Sequence, residues 1–300
     1  ERRYIMKKKK IFSYKLIIHL IFILLCLGFI IPFLYMVSLS FTPESVIKHQ
    51  SYKLIPSRFS LEAYQSVFRN PTQLIDSYKV TILFSVLGTL LSMIVMMMVS
   101  YALSREQFKA RRQLTFFIYF TMLFSGGLVP SYIINTKILG LGNSFWVYIL
   151  PSLCTAYYIL ILRTFFKTIP GSLIEAAKID GAGEFTIFRI VVIPLSKTVI
   201  ATVSLLILLG KWNDWYTTLI YITENKLYSL QYLLQKILRE TEFLQEMSKS
   251  EQLVNVSAAE KPVEGMRFAM AIVAAGPMLF IFPFFQKYFT QGLTIGAVKE

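Results

Sequence analysis

An all-α membrane protein with six transmembrane helices and both termini on the cytoplasmic side is the fold class the sequence predicts, on three observations. First, 55% of the 300 residues are hydrophobic, with 25 Phe and 17 Tyr, and mean hydropathy is +0.57; a soluble domain of ordinary composition carries far less apolar surface. Second, a helix needs about 20 largely apolar residues to cross a bilayer, and the stretches 16–39, 78–101, 114–134, 144–166, 191–212 and 268–286 have that length. Third, basic residues crowd one set of connecting segments: Arg2, Arg3, Lys7 to Lys10 and Lys15, then Arg105, Lys109, Arg111 and Arg112, then Arg163, Lys167, Lys178, Arg189 and Lys197, then Lys287 and Lys299. The opposite segments are longer yet poorer in Lys and Arg, with acids at Glu240, Glu242, Glu246, Glu251, Glu260 and Glu264. Positive-inside bias therefore places both termini in the cytoplasm.

The formal net charge of +14 is spread over these loops. Nucleic-acid binding calls for a patch with interleaved aromatics, so it is not expected. Cys26 and Cys154 both fall inside apolar runs, which argues against a disulfide framework. Residues 1–15 form a basic N-terminal segment, within which Met6 is a candidate start. The apolar run from Leu16 to Phe41 is too long for a secretory signal, and no small-x-small cleavage site follows it. Leu25 before Cys26 is too bulky for a lipidation site.

Taken in order, the first span leads into an outer loop, Thr42 to Asp76, punctuated by Pro43, Pro56 and Pro71, with a short surface helix around Leu61-Glu62-Ala63-Tyr64. The second span carries Gly88 and the methionines Met93, Met96, Met97 and Met98, read as lipid-facing filler rather than adaptable packing. A glycine-proline break, Gly126-Gly127-Leu128-Val129-Pro130, lies near the outer end of the third span. In the fourth span Pro151 kinks the helix and frees a carbonyl that protein or a water-filled cavity must satisfy.

Between the fourth and fifth spans lies a short polar interruption, 170–194. Ser172 and Glu175 have the spacing of a capping box, so a helix of barely two turns is expected from Ser172 through Ile179, ended by Gly181 in the left-handed conformation. So short a helix is unstable alone and needs its flanks or a docked partner. A second piece, 184–190, runs into Pro194, where the fifth span begins with proline in its first turn. That span ends at Gly210-Lys211-Trp212-Asn213-Asp214-Trp215-Tyr216, aromatics suited to an interfacial belt. Beyond, within 213–267, Leu230, Leu233, Leu234, Ile237, Leu238 and Leu244 fall at helical spacing, giving an amphipathic helix that needs an apolar partner. In the last span Ala271 and Ala275, four apart, allow close helix packing.

The order Glu175-Ala176-Ala177, Asp180-Gly181-Ala182, Phe188, Val191, Ile193 and Pro194 resembles the "EAA" signature of permease subunits of binding-protein-dependent ABC importers. Val191 and Ile193 depart conservatively from that pattern, which has Ile and Leu there. The phrases 54–64, 101–105, 126–143 and the tail 284–299 resemble the carbohydrate and oligosaccharide group of the same family. The resemblance implies a type I ABC importer (MetI-like) fold over 16–300 in a bacterial plasma (inner) membrane. It implies that 170–194 is a coupling loop, with Glu175, Ala176, Ala177, Asp180, Gly181 and Ala182 facing a cytoplasmic ATPase, the alanines leaving a face bare for close approach. Any one of those residues alone would do no more than form, cap or end its own helix, whereas the whole constellation, placed between two spans, favours coupling.

The resemblance also implies the partners: a second homologous permease, an ABC ATPase dimer, an extracytoplasmic solute-binding protein contacting the 213–267 loop, and the lipid bilayer. ATP and Mg would sit on the partner ATPase and no cofactor on this chain, which has no G-x-x-x-x-G-K-[ST] phosphate loop. Tyr157 and Tyr158 suit a sugar pathway by stacking on pyranose faces, or else pack against neighbours and lipid; Asn213 beside Trp212 and Trp215 suits the outer mouth of such a pathway, or else the aromatics form an interfacial belt. Import of peptides or other solutes is the alternative within the family. An ion-coupled transporter is a further reading, but the acids sit in loops and His19 is alone in the first span. An intramembrane enzyme or metal site fails because His19 and His49 are the only histidines and neither has a ligand companion at helical spacing.

Overall fold

The computed structural model describes residues 2–49, 53–249 and 263–297, which contain helices, turns and no strand. Two compact units divide them: one of 1–70 with 237–275, the other of 71–236 with 276–300. In the first, α1 (Arg2–Ser40) is followed by α2 (Glu44–His49) and α3 (Glu62–Val67). Between residues 16 and 34 α1 is mostly exposed apolar surface, as a lipid-facing helix must be, and it becomes buried only at Ser38, Leu39 and Ser40. Its end is tied down by Phe41, whose ring lies 5.0 Å from both Phe59 and Tyr64, and by a 3.0 Å hydrogen bond between the Ser40 and Tyr64 hydroxyls.

The second unit is built on α4 (Pro71–Ser104), which packs most extensively against α7 (Ala156–Phe166) and α11 (Lys197–Trp212). One face of α4 buries Ser77, Thr81, Ser85, Thr89, Ser92 and Ser100, whereas Ile82, Leu83, Val86, Leu90 and Ile94 point outward. Small polar side chains thus meet protein and branched apolar ones meet lipid, because close backbone approach is worth more there than further apolar contact. Met93 and Met96 belong to the core with Ile159, Leu162, Phe166, Val203 and Ile207, while Met98 is half exposed. The methionines are therefore not uniformly filler; two of them sit in the core and Met97 packs against it.

The expected spans are realised unevenly. Lys15–Ser40, Pro71–Ser104 and Glu264–Gln286 are single helices long and apolar enough to cross a membrane. The third and fifth spans are broken: Arg111–Leu123 and Leu128–Ile138 meet at 113°, and Glu184–Leu195 and Lys197–Trp212 at 82°. In the first pair α5 (Arg111–Leu123) gives way to α6 (Leu128–Ile133) at Gly127, whose φ of 87° only glycine adopts easily.

The 144–166 stretch is not one kinked helix. A 3-10 turn at Phe145–Tyr148 leads through turns around Pro151 to the 11 residues of α7, so Pro151 sits in a turn rather than in a helix interior. After α7 come the short α8 (Gly171–Ile179), then α9 (Glu184–Ile187), a wide turn at Phe188–Val192 and α10 (Ile193–Leu195). Pro194 lies in the first turn of α10, and the fifth span proper starts only at Lys197. Beyond α11 lie α12 (Tyr216–Tyr221), the amphipathic α13 (Leu230–Lys249) and α14 (Val263–Ala297). Leu230, Leu233 and Leu234 of α13 are buried within the protein's own core, so that part of the helix already has its apolar partner. Residues 250–262 of the outer segment, with Glu251 and Glu260, and residues 298–300 of the tail lie outside the described residues.

Candidate functional site

The 170–194 segment owes its shape to a proline at one end and a glycine at the other. Pro170 is extended (φ −56°, ψ 128°) and immediately precedes α8, so the helix starts at Gly171, one residue before the expected Ser172. Ser172 is then inside the first turn, and the capping box does not form: no side chain caps this end. The other end closes as a Schellman motif. Gly181 has φ 78°, its N–H donates to the Lys178 carbonyl at 3.0 Å, and the Ala182 N–H donates to the Ala177 carbonyl at 2.9 Å.

Ile174 is buried, and Ala177 and Ala182 pack against the core formed by α4, α7 and α11. The two alanines therefore do not form one bare outward face: Ala176 is exposed, Ala177 turns in. The outward apolar surface is instead Leu173, Ile179 (87% exposed) and Phe185 (68% exposed), bordered by the exposed Glu175, Asp180 and Gly181.

A cluster centred on Glu184 holds this segment to the end of α4. Its Oε1 accepts from Lys178 Nζ at 2.7 Å, and its Oε2 accepts from the Tyr101 hydroxyl at 2.5 Å with Arg105 Nε at 3.7 Å. The Arg105 guanidinium lies 5.6 Å from the Tyr101 ring centroid, and that ring packs 5.1 Å from Phe188. Nearby, Ser100 Oγ donates to the Ile159 carbonyl (2.9 Å) and Arg163 Nε to that of Leu103 (3.2 Å), fixing α7 to α4. Two cavities share Arg105 in their walls. One, about 410 Å³, is mainly apolar, with Met98, Phe108, Phe185 and Phe188; the other, about 360 Å³, is polar and lies beside α8.

The residues suggested for a solute pathway are scattered in environment. Tyr157 is half exposed and Tyr158 packs partly into the core, their rings edge-on at 5.5 Å. Trp212 is buried, the exposed Asn213 turns its amide back onto the Leu209 carbonyl (2.9 Å), and Trp215 is half-buried edge-on to Tyr216 at 5.9 Å. None of the five lines either cavity.

Sequence reading missed Glu184, whose partners lie 83 residues away at Tyr101 and six away at Lys178, and whose only local mark is a glycine before it. It also passed over Lys211, a lysine buried in this unit. Lys211 Nζ donates to the Tyr148 carbonyl (3.1 Å) and to Ser152 Oγ (2.7 Å), satisfying backbone in the irregular stretch before α7. A lysine just inside the end of an apolar run was the available signal.

Broken, lipid-exposed helices around a buried polar face, with a helical loop tied to their ends, define a multi-pass transport protein of the permease class. The chain belongs to the family described as binding-protein-dependent transport system inner membrane component, which matches residues 80–295. It is 37% identical to Protein LplC of Bacillus subtilis over 270 residues, covering 90% of this chain and 89% of that one. It is 36% identical to the polygalacturonan/rhamnogalacturonan transport system permease protein YtcP of the same organism over 281 residues, covering 93% of this chain and 95% of that one. Among solved structures it resembles a chain of a bacterial ABC transporter involved in the import of the acidic polysaccharide alginate, with TM-score 0.79 and 27% identity over 92% of this chain and 96% of that one.

Proposed function

We propose that this chain is one permease of an ATP-driven importer for oligosaccharides or related sugars, forming half of the pathway with a second homologous permease. The observation that carries the coupling part is α8: a two-turn helix closed by a Schellman motif, locked to the spans through Glu184, and presenting Leu173, Ile179 and Phe185 outward. An element so short and so firmly tied transmits displacement rather than absorbing it. It meets a cytoplasmic ATPase dimer, and hydrolysis, with ATP and Mg, takes place there, since this chain has no phosphate-binding loop of its own. On the opposite side the 213–267 segment meets a solute-binding protein. Six segments cross the bilayer, the two bent pairs and the 144–166 stretch each counting once, with both termini in the cytoplasm.

A sugar cargo is supported by the polygalacturonan/rhamnogalacturonan permease and the alginate importer, relatives over nearly the whole chain, and is favoured over a peptide. Of the five pathway residues, Tyr157 and Asn213 offer open surface, Tyr158 and Trp215 some, and Trp212 is buried. The test is uptake of labelled oligogalacturonides into proteoliposomes holding both permeases, the ATPase and the binding protein. Uptake is expected with ATP inside and absent without it; uptake driven by an ion gradient alone would overturn the reading.

A further inference from the structure

Lys211, in the last turn of α11, makes two hydrogen bonds that need a donor but not a charge: a neutral amide could give both to the Tyr148 carbonyl and to Ser152 Oγ. No carboxylate forms an ion pair with it among the described residues. Asp214, three residues on, turns its Oδ1 to the Thr217 N–H at 3.0 Å and acts on the lysine only at longer range. Ser152 is exposed, so the buried ammonium lies one side chain from the surface. Beside the lysine stem α4 presents Gly88, and Ser85 and Ser92, three residues before it and four after it on the same face, carry buried hydroxyls that meet no hydrogen-bond partner, as does Thr89. Close packing of α4 on α11 asks only for small side chains, which alanine would supply without stranding a hydroxyl. A buried charge and three idle hydroxyls therefore cost stability that packing alone does not require.

We propose that Lys211, Ser85, Thr89 and Ser92 form a cargo site, closed in this structure, for a sugar that bears a carboxylate, a uronide. The inference rests on the sugar-permease reading and adds to it the charge of the cargo. A uronide combines what these four side chains lack: an anionic acceptor for the ammonium, and ring hydroxyls that donate to and accept from the serines and the threonine. One carboxylate balances one lysine, whereas a phosphate dianion would leave a charge uncompensated. Tyr148 and Ser152 give the ammonium only neutral oxygens, so a carboxylate displaces them as α11 moves off α4. A neutral sugar brings no better acceptor than the two it would displace. Lys211 thereby selects cargo by charge.

The experiment uses the complete transporter in proteoliposomes, both permeases with the ATPase and the binding protein, and follows labelled trigalacturonate and labelled galactotriose. Trigalacturonate is expected to enter when ATP is inside. Lys211→Gln, which keeps the donor and removes the charge, is expected to lower the trigalacturonate imported per ATP hydrolysed about tenfold. Ser92→Ala is expected to raise the unfolding temperature in detergent, because a stranded hydroxyl is gone, while lowering the same ratio about threefold. A purely structural role predicts otherwise: Lys211→Gln would import like the wild type, and Ser92→Ala would change stability alone. Either result overturns the proposal, and if Lys211→Gln does not reach the membrane, Ser92→Ala decides. Import of galactotriose with trigalacturonate refused leaves the sugar reading standing and removes the carboxylate; refusal of both removes the sugar reading as well.

Discussion

Lys211 brings a charge into the interior of the second unit at 7% exposure, and the neighbouring residues are arranged around it. Its stem runs across Gly88 of α4, where a Cβ would come within 2.8 Å of Cε and 2.9 Å of Cδ. A glycine is needed there for space, not for backbone freedom. Gly88→Ala is therefore expected to push the lysine off the Tyr148 carbonyl and Ser152, costing about 1–3 kcal/mol through crowding and a stranded acceptor. Thermal unfolding in detergent checks this, with Lys211→Ala as the control background, in which the added methyl group should cost much less. An equal cost in both backgrounds would separate Gly88 from Lys211. At the Glu184 cluster, Tyr101→Phe removes one donor from a carboxylate that keeps Lys178 and remains half exposed, so a loss of no more than about 1 kcal/mol is expected by the same measurement.

Two elements depend on a glycine with positive φ. In α8, Gly181 places the Ala182 N–H on the Ala177 carbonyl, and any side chain there strains the turn by about 1–2 kcal/mol. Gly181→Asp also adds a charge at the outward rim. Transport and binding-protein-stimulated ATP hydrolysis are expected to fall while membrane insertion is kept, measured as stimulated phosphate release and as yield in the membrane fraction. Unchanged stimulation would argue against α8 as the coupling element. At the α5–α6 break, Gly127 (φ 87°) bends the chain, whereas Gly126 would set its Cβ no closer than 3.7 Å to Pro130. Gly127→Val should thus lower folded yield, at a backbone cost of about 1–3 kcal/mol, and Gly126→Ala should not. Equal yields from the two variants would show that the 113° bend does not rest on Gly127.

At the scale of the molecule, the positive-inside bias of the basic segments predicts that α8 lies on the cytoplasmic side. A single cysteine at Asp180, exposed and at the rim of α8, with Cys26 and Cys154 replaced, is expected to react with a membrane-impermeant maleimide only from the cytoplasmic side. Labelling from outside would invert the topology and remove the ATPase from reach. Much of this was legible in the residues themselves: membrane residence from composition, the first, second and last spans from apolar run length, the end of α8 from Gly181, the α5–α6 break from Gly126-Gly127 and the amphipathic α13 from its leucine spacing. These are local properties, fixed by sterics and by the cost of exposing peptide groups to lipid. The inward face of α4, the 82° bend before α11, the loss of helix at 144–155, and the pairing of Glu184 with Tyr101 and Lys178 were decided only in three dimensions. The reason is that lipid is as apolar as a protein core, so hydrophobic period does not mark which side of a membrane helix is inside; small hydroxyls, a glycine and a buried lysine do so only once their neighbours are in place.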